Sequence, residues 1–136
     1  MADLSKTLSV SASGMDAQTA RLRVIAENLA NQDSTGSTPG ADAYRRKTIS
    51  FESKVAAAEG VETVQVKRIG QDQTDQPLRY DPSNPAANAE GYVKTTNVNS
   101  FIEVMDMREA ERSYNANMAV MQATRSMLTR TIDMLK

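Results

Sequence analysis

Apolar residues in the first thirty positions fall at Leu4, Leu8, Met15, Leu22, Ile25 and Leu29. Counting the polar Ser11 and Gln18 as skipped members, the intervals alternate four and three, a heptad that marks a helix with one seam. Asp3 and Ser5 offer N-cap chemistry, and "NQDSTG" after Ala30 offers stop chemistry, so the pattern predicts a helix over 1–31. At ~1.5 Å per residue it would be about 40 Å long. Gly14 interrupts it at ~1 kcal/mol relative to Ala, either as a tolerated glycine or because a neighbouring helix comes close there.

The same period returns at the other end. Met107, Tyr114, Met121, Leu128 and Leu135 are spaced by seven, while Val104, Met118 and Ile132 stand three residues before members of that series. Glu111 and Arg125 occupy the equivalent places, as a solvated edge or as setters of register and partner choice, and Phe101, Ile102 and Met105 widen the apolar face. The spacing predicts a second, longer helix within 98–136. Two helices alone leave much of each stripe uncovered, so the pattern calls for burial against other chains.

Between them the period changes. Residues 32–60 read as a loop or extended linker, turn-forming at "QDSTGSTPGADA" and anchored by Tyr44, Ile49 and Phe51. The cation run Arg45, Arg46 and Lys47 ordinarily marks a solvated face, contact with an acidic neighbouring subunit being the alternative. Alternation at Val64, Val66 and Ile69, with extended pieces near Leu78–Tyr80 and Tyr92–Lys94, predicts a small β-hairpin-like region over 61–97. The expected fold is mainly α with a small β part. Long N- and C-terminal helices (1–31 and 98–136) pack as a coiled-coil-like pair in an inner helical core, with an extended or β-hairpin middle.

Composition sharpens this picture. Aromatics make up 4% of the 136 residues, with no Trp, against eight Met, so a thick aromatic core is out of reach and thin, adaptable helix packing is favoured. The net charge of -1 is evenly spread, with three residues of each sign in 1–31 and five of each in 98–136. No basic concentration exists to bind nucleic acid or to anchor an amphipathic helix on a membrane. Cys and His are absent, which removes thiol chemistry, Cys/His zinc sites and His acid–base catalysis. Asp72, Asp75 and Asp81 lack the central Gly and closing Glu of a calcium loop. The expectation is therefore no catalytic residues, no cofactor, no metal and no direct membrane insertion, and no apolar signal segment is seen at the N-terminus.

Two long motifs carry a family resemblance. "SASGMDAQTARLRVIAENLANQDST" resembles the N-terminal signature of bacterial flagellar rod and hook axial proteins, with its SG pair and "NLAN". "GYVKTTNVNSFIEVMDMREAERSYNANMAVMQATRSMLTRTIDMLK" resembles their C-terminal signature, with "SYNAN" near its middle. The short length, "AYRRKTISF" after the first helix and "EGYVKTTNVN" before the last resemble the proximal-rod type.

The resemblance implies a structural subunit of the basal-body proximal rod, the shaft that crosses the periplasm and carries torque from the membrane ring toward the hook. It implies terminal helices packed with one another and with other copies and other rod proteins, in a tube around the export channel. It also implies passage through the flagellar type III export apparatus without a cleaved signal. On it, Ser13, Gly14, Asn28, Leu29, Ala30 and Asn31 shape the first helix and its exit, and Ser113, Tyr114, Asn115, Ala116 and Asn117 shape the last. Asn28 and Asn31 would satisfy backbone groups at the exit, and Asn115 and Asn117 would hydrogen-bond between subunits. The expected subunit-interaction seam is Leu4, Leu8, Met15, Leu22, Ile25 and Leu29 with Val104, Met107, Tyr114, Met118, Met121, Leu128, Ile132 and Leu135. Another short rod protein would share the terminal motifs, and a secreted coiled-coil scaffold or adhesin module would fit the heptads alone.

Overall fold

The computed structural model describes residues 1–136. Helix α1 spans Ala2–Ala30, strands β1 and β2 span Lys47–Ala56 and Val61–Gln71, strands β3 and β4 span Leu78–Tyr80 and Tyr92–Lys94, and helix α2 spans Ser100–Met134. Asp3 lies in the first turn of α1. Asn31 closes that helix: its backbone N–H and its side-chain Nδ2 both donate to the Glu27 carbonyl, at 3.1 and 2.8 Å. Asn99 opens α2, its Oδ1 accepting from the N–H groups of Phe101 and Ile102 at 3.1 and 3.4 Å. Both amides thereby satisfy groups that a helix end leaves unpaired.

The chain forms two compact units, 1–22 with 49–68 and 107–136, and 23–48 with 69–106. In the first, β1 and β2 make a hairpin. Its turn is closed by Glu59 and Gly60 donating to the Ala56 carbonyl, with Gly60 at φ +64°, where a glycine is favoured. Thr63 Oγ1 donates across it to the Lys54 carbonyl at 3.1 Å, and Ser13 Oγ of α1 accepts from the Val64 N–H at 3.3 Å. The helices meet in this unit through small residues. A Cβ built on Gly14 would lie 2.7 Å from Asn117 Nδ2, and Arg21 faces Glu109 at 3.7 Å, so the two helices run antiparallel here. Ser11, Ala17, Ala110 and Thr124 are buried.

In the second unit, β3 and β4 pair antiparallel in the register Leu78↔Lys94, Arg79↔Val93 and Tyr80↔Tyr92. Val93 is fully buried, while Leu78, Tyr80 and Tyr92 are exposed. The β part thus differs from the single hairpin-like region expected over 61–97. There are two separate two-stranded sheets, and the first begins inside the 32–60 segment expected as linker. The signal there is partial: Ile49, Phe51 and Val55 alternate with polar residues along β1, but Ser53 breaks the series and half of the strand is exposed.

The Gly14 contact makes a testable prediction. By helix propensity alone, Gly14→Ala would stabilise by ~1 kcal/mol. Because the new methyl meets the half-buried Asn117 amide, we expect it to destabilise instead, and to stabilise only in an Asn117→Ala background. A double-mutant cycle by chemical denaturation should return a coupling of about 1–2 kcal/mol.

Candidate assembly site

The end of "NLAN" builds a polar node in the second unit. The Asn28 side chain is buried and uses its full capacity. Its Nδ2 donates to the Lys47 carbonyl at 3.0 Å and to Glu103 Oε2 at 3.3 Å. Its Oδ1 accepts from the Lys47 N–H and the Tyr44 hydroxyl, both at 2.8 Å. One amide therefore joins the last turns of α1, the start of β1 and the first turn of α2. Asn28 was expected to satisfy backbone groups at the helix exit, but the backbone groups it holds are those of Lys47.

Glu103 is the largest fully buried side chain. A carboxylate out of water is tolerated only when paired and hydrogen-bonded, and here Arg46 Nε donates to Oε1 while Asn28 holds Oε2. Arg46 also faces Asp72 at 3.7 Å and Asp106 at 3.6 Å. Burial opposes the Arg46 charge, yet the hydrogen bond and field of Glu103, with Asp72 and Asp106, raise its pKa further above the usual guanidinium range. Burial also raises the Tyr44 hydroxyl, whose proton is committed to Asn28. The cation run is therefore not simply a solvated face. Arg46 is drawn inward, Lys47 pairs with Glu27 at 2.7 Å, and Arg45 reaches Asp42 at 3.6 Å and the Thr74 carbonyl at 3.3 Å.

Two further amides do similar work. Gln76 exchanges hydrogen bonds with both backbone groups of Ala43 and donates to the Tyr44 carbonyl. Asn97 accepts from the Arg46 N–H at 2.7 Å and donates to the carbonyls of Asp72 and Thr74. Asp72, with Thr74 donating to it, sits below the usual carboxylate range.

Of the expected seam, Ile25 is buried, and Leu4, Leu8, Met15, Leu22, Leu29, Met107, Tyr114, Met118, Met121 and Leu128 are half-buried. Val104, Ile132 and Leu135 are exposed. The second line of α2 runs one residue earlier than its apolar side chains indicate. Glu103, Ala110 and Thr124 are buried, and Asn117 and Thr131, in the same series of seven, are half-buried. The predicted counterpart, Val104, Glu111, Arg125 and Ile132, faces solvent except at Met118. Small and polar residues carry no hydropathy signal, but their spacing of seven from Glu103 is visible in the sequence. In the motifs, Ser13, Gly14, Asn31 and Ser113 are half-buried, and Ala30, Asn115 and Ala116 are exposed. Asn117, expected between subunits, instead covers Gly14 of its own chain.

This arrangement leaves apolar side chains uncovered on α2. Phe101, Ile102 and Met105 stand exposed at its start. Ala116, Val120, Ala123, Met127 and Met134, again at heptad spacing, form an exposed line further along.

Comparison with known proteins agrees with a helix-packing axial protein. Residues 8–36 match the family described as flagella basal body rod protein, and 89–134 match the flagellar basal body rod FlgEFG protein C-terminal family. The chain is 52% identical over 136 residues to the flagellar basal-body rod protein FlgC of Agrobacterium fabrum, covering 100% of this chain and 98% of that protein. It is 37% identical to FlgC of Bacillus subtilis, covering 96% and 97%, and 39% identical to FlgC of Salmonella typhimurium, covering 90% and 91%. The chain belongs to the FlgC family of flagellar basal-body rod proteins. Its role is structural, as a rod subunit, and not enzymatic.

The node makes a graded prediction. Asn28→Ala strands the Lys47 backbone groups and one Glu103 oxygen, and should cost about 2–4 kcal/mol by chemical denaturation. Tyr44→Phe removes one of the four bonds and should cost about 1 kcal/mol. Glu103→Leu leaves Arg46 without its principal partner and should cost about 3 kcal/mol, the low end for a broken buried pair because Arg46 is 25% exposed. Equal losses in all three variants would remove Asn28 from the centre of the node.

Proposed function

We propose that the chain builds the proximal rod where it spans the periplasm, with residues 1–31 and 98–136 of each copy contributing to an inner helical core around the export channel. In this reading the helices pack against those of neighbouring copies and other rod proteins in a coiled-coil-like manner, forming a shaft that resists twisting. One end of the shaft meets the membrane-ring junction, and subunits arrive through the flagellar type III export apparatus. The apolar line left exposed on α2, Ala116, Val120, Ala123, Met127 and Met134, supports this reading most directly. Its four-and-three spacing is the period that a partner helix reads, and fully burying each Val or Met of the line on assembly contributes roughly 1.5–3 kcal/mol. A set of contacts of that size, present only in the assembly, favours a rigid polymer over free subunits.

Two kinds of variant test it. Val120→Asp and Met127→Asp, both on the exposed line, should leave the isolated chain within about 0.5 kcal/mol of wild type yet abolish incorporation into basal bodies and swimming. Leu29→Asp and Met121→Asp, half-buried in the chain itself, should abolish both assembly and motility while expression continues. Normal swimming by the exposed-line variants would sink the reading.

A further inference from the structure

The exposed line on α2 is a heptad of its own, and its two positions differ in size. Ser113, Val120, Met127 and Met134 are spaced by seven, and Ala116, Ala123 and Arg130 stand three residues after the first three. Along one flank runs a third series, Arg112, Ala119, Ser126 and Asp133. All of these side chains are exposed except the half-buried Ser113. The other flank is used within the chain, where Ala110 and Thr124 are buried and Asn117 covers Gly14. A two-position seam with one free flank is the layout of one helix of a coiled-coil pair.

The residues of the seam select what covers it. Beside a parallel copy, equivalent positions would meet, so Arg130 would oppose Arg130 and Ala123 would oppose Ala123 across a gap. Beside an antiparallel copy, each large position meets a small one. Val120 then opposes Ala123 of the partner subunit, Met127 opposes Ala116 of the partner subunit, and Arg130 opposes Ser113 of the partner subunit. The free flanks of the two copies fall on the same side, which brings Arg112 beside Asp133 of the partner subunit at each end of the contact. Opposite charges at such flanking positions set partner choice and orientation. Asp133 faces Lys136 of its own chain at 3.7 Å, an exposed pair that leaves the carboxylate open to a second cation.

The place where Met127 of that second copy lands is already hollow. A groove of about 410 Å³ passes Ala116, between Val10 of α1 and Phe51 and Val64 of the hairpin, with Ser113 and Asn117 as its polar wall. A thioether fills irregular apolar space and packs favourably against an aromatic ring such as Phe51. Ser113, on the polar wall, is the residue that Arg130 meets. We infer that this face of α2 docks a second copy of the chain, antiparallel and about a two-fold axis, with Met127 of each copy in the groove of the other and Arg112 paired with Asp133 at both ends. A contact of this symmetry closes at two copies and does not propagate. The pair is therefore a state of the unassembled chain, and it covers the line that the rod reading needs free. The inference goes beyond that reading and stands on the surface of the free chain.

Sedimentation of the purified chain should show a monomer–dimer equilibrium with Kd on the order of micromolar. Arg112→Glu and Asp133→Arg should each weaken it about tenfold, because two exposed pairs are lost and like charges are brought together. Arg112→Asp combined with Asp133→Arg restores both pairs with the signs exchanged, and should return Kd to within about threefold of wild type. These side chains are exposed, so the dilute variants should melt with the wild type, which separates docking from folding. The chain has no cysteine, so paired substitutions read the orientation. A copy carrying Ala116→Cys and a copy carrying Met127→Cys should be joined by a short bismaleimide. Two copies carrying Ala116→Cys hold those sites roughly 16 Å apart along the helix axis, and should not be joined. A monomer throughout the micromolar range, a combined variant as weak as its singles, or cross-linking between two Ala116→Cys copies would overturn the antiparallel pair. None of these outcomes touches the rod reading, which fails if the chain is absent from basal bodies.

Discussion

A carboxylate buried at Glu103 sets the terms for the second unit of this protein. It must meet a cation and a hydrogen-bond donor at the same place, and Arg46 and Asn28 are delivered there by segments far apart in the chain. Once Asn28 is held, its remaining valences secure Lys47 and Tyr44, so the start of β1 is fixed by an amide as well as by the Asp72 N–H that follows β2. Gln76 and Asn97 extend the same device to Ala43, Asp72 and Thr74. Side-chain amides imitate the peptide group, and with short strands and few aromatics they supply backbone partners that a larger sheet would otherwise provide.

The first unit uses a different economy of contacts. Its helices approach through Gly14, Ala17, Ala110 and Thr124, residues small enough to let the helices come close. Close approach consumes little of the chain's apolar surface. Val120, Met127, Met134 and Leu135 stay exposed. A subunit that spent its bulky side chains on its own core would be a better monomer and a poorer building block. The chain's one fully buried charge, Glu103, is partnered by Arg46 and Asn28.

Several features were legible in the residues. Both long helices follow from heptad spacing bounded by stop and cap residues, and the observed spans Ala2–Ala30 and Ser100–Met134 lie within a residue or two of the expected bounds. The strand pieces Leu78–Tyr80 and Tyr92–Lys94 were likewise readable from Pro-rich turn chemistry around them. The family motifs indicated an axial protein because they are long and occur in the right order at the two ends. Strand β1 left only a partial signal, since Ile49, Phe51 and Val55 alternate with polar residues but Ser53 interrupts the series.

What the sequence determined by itself, then, was local: helix period, helix ends, turns, charge balance and the absence of thiol and imidazole chemistry. The tertiary structure decided which face of each helix is used. Gly14 and Asn28 are two heptads apart on α1, as Asn117 and Glu103 are on α2, and these pairs make in-chain contacts, while Met15, Leu29 and Met118 beside them are only half-buried and Val104 is exposed. Hydropathy could not reveal that choice, because a glycine, two amides and a carboxylate gain their value from steric fit and mutual hydrogen bonding. Both exist only once distant segments are brought together.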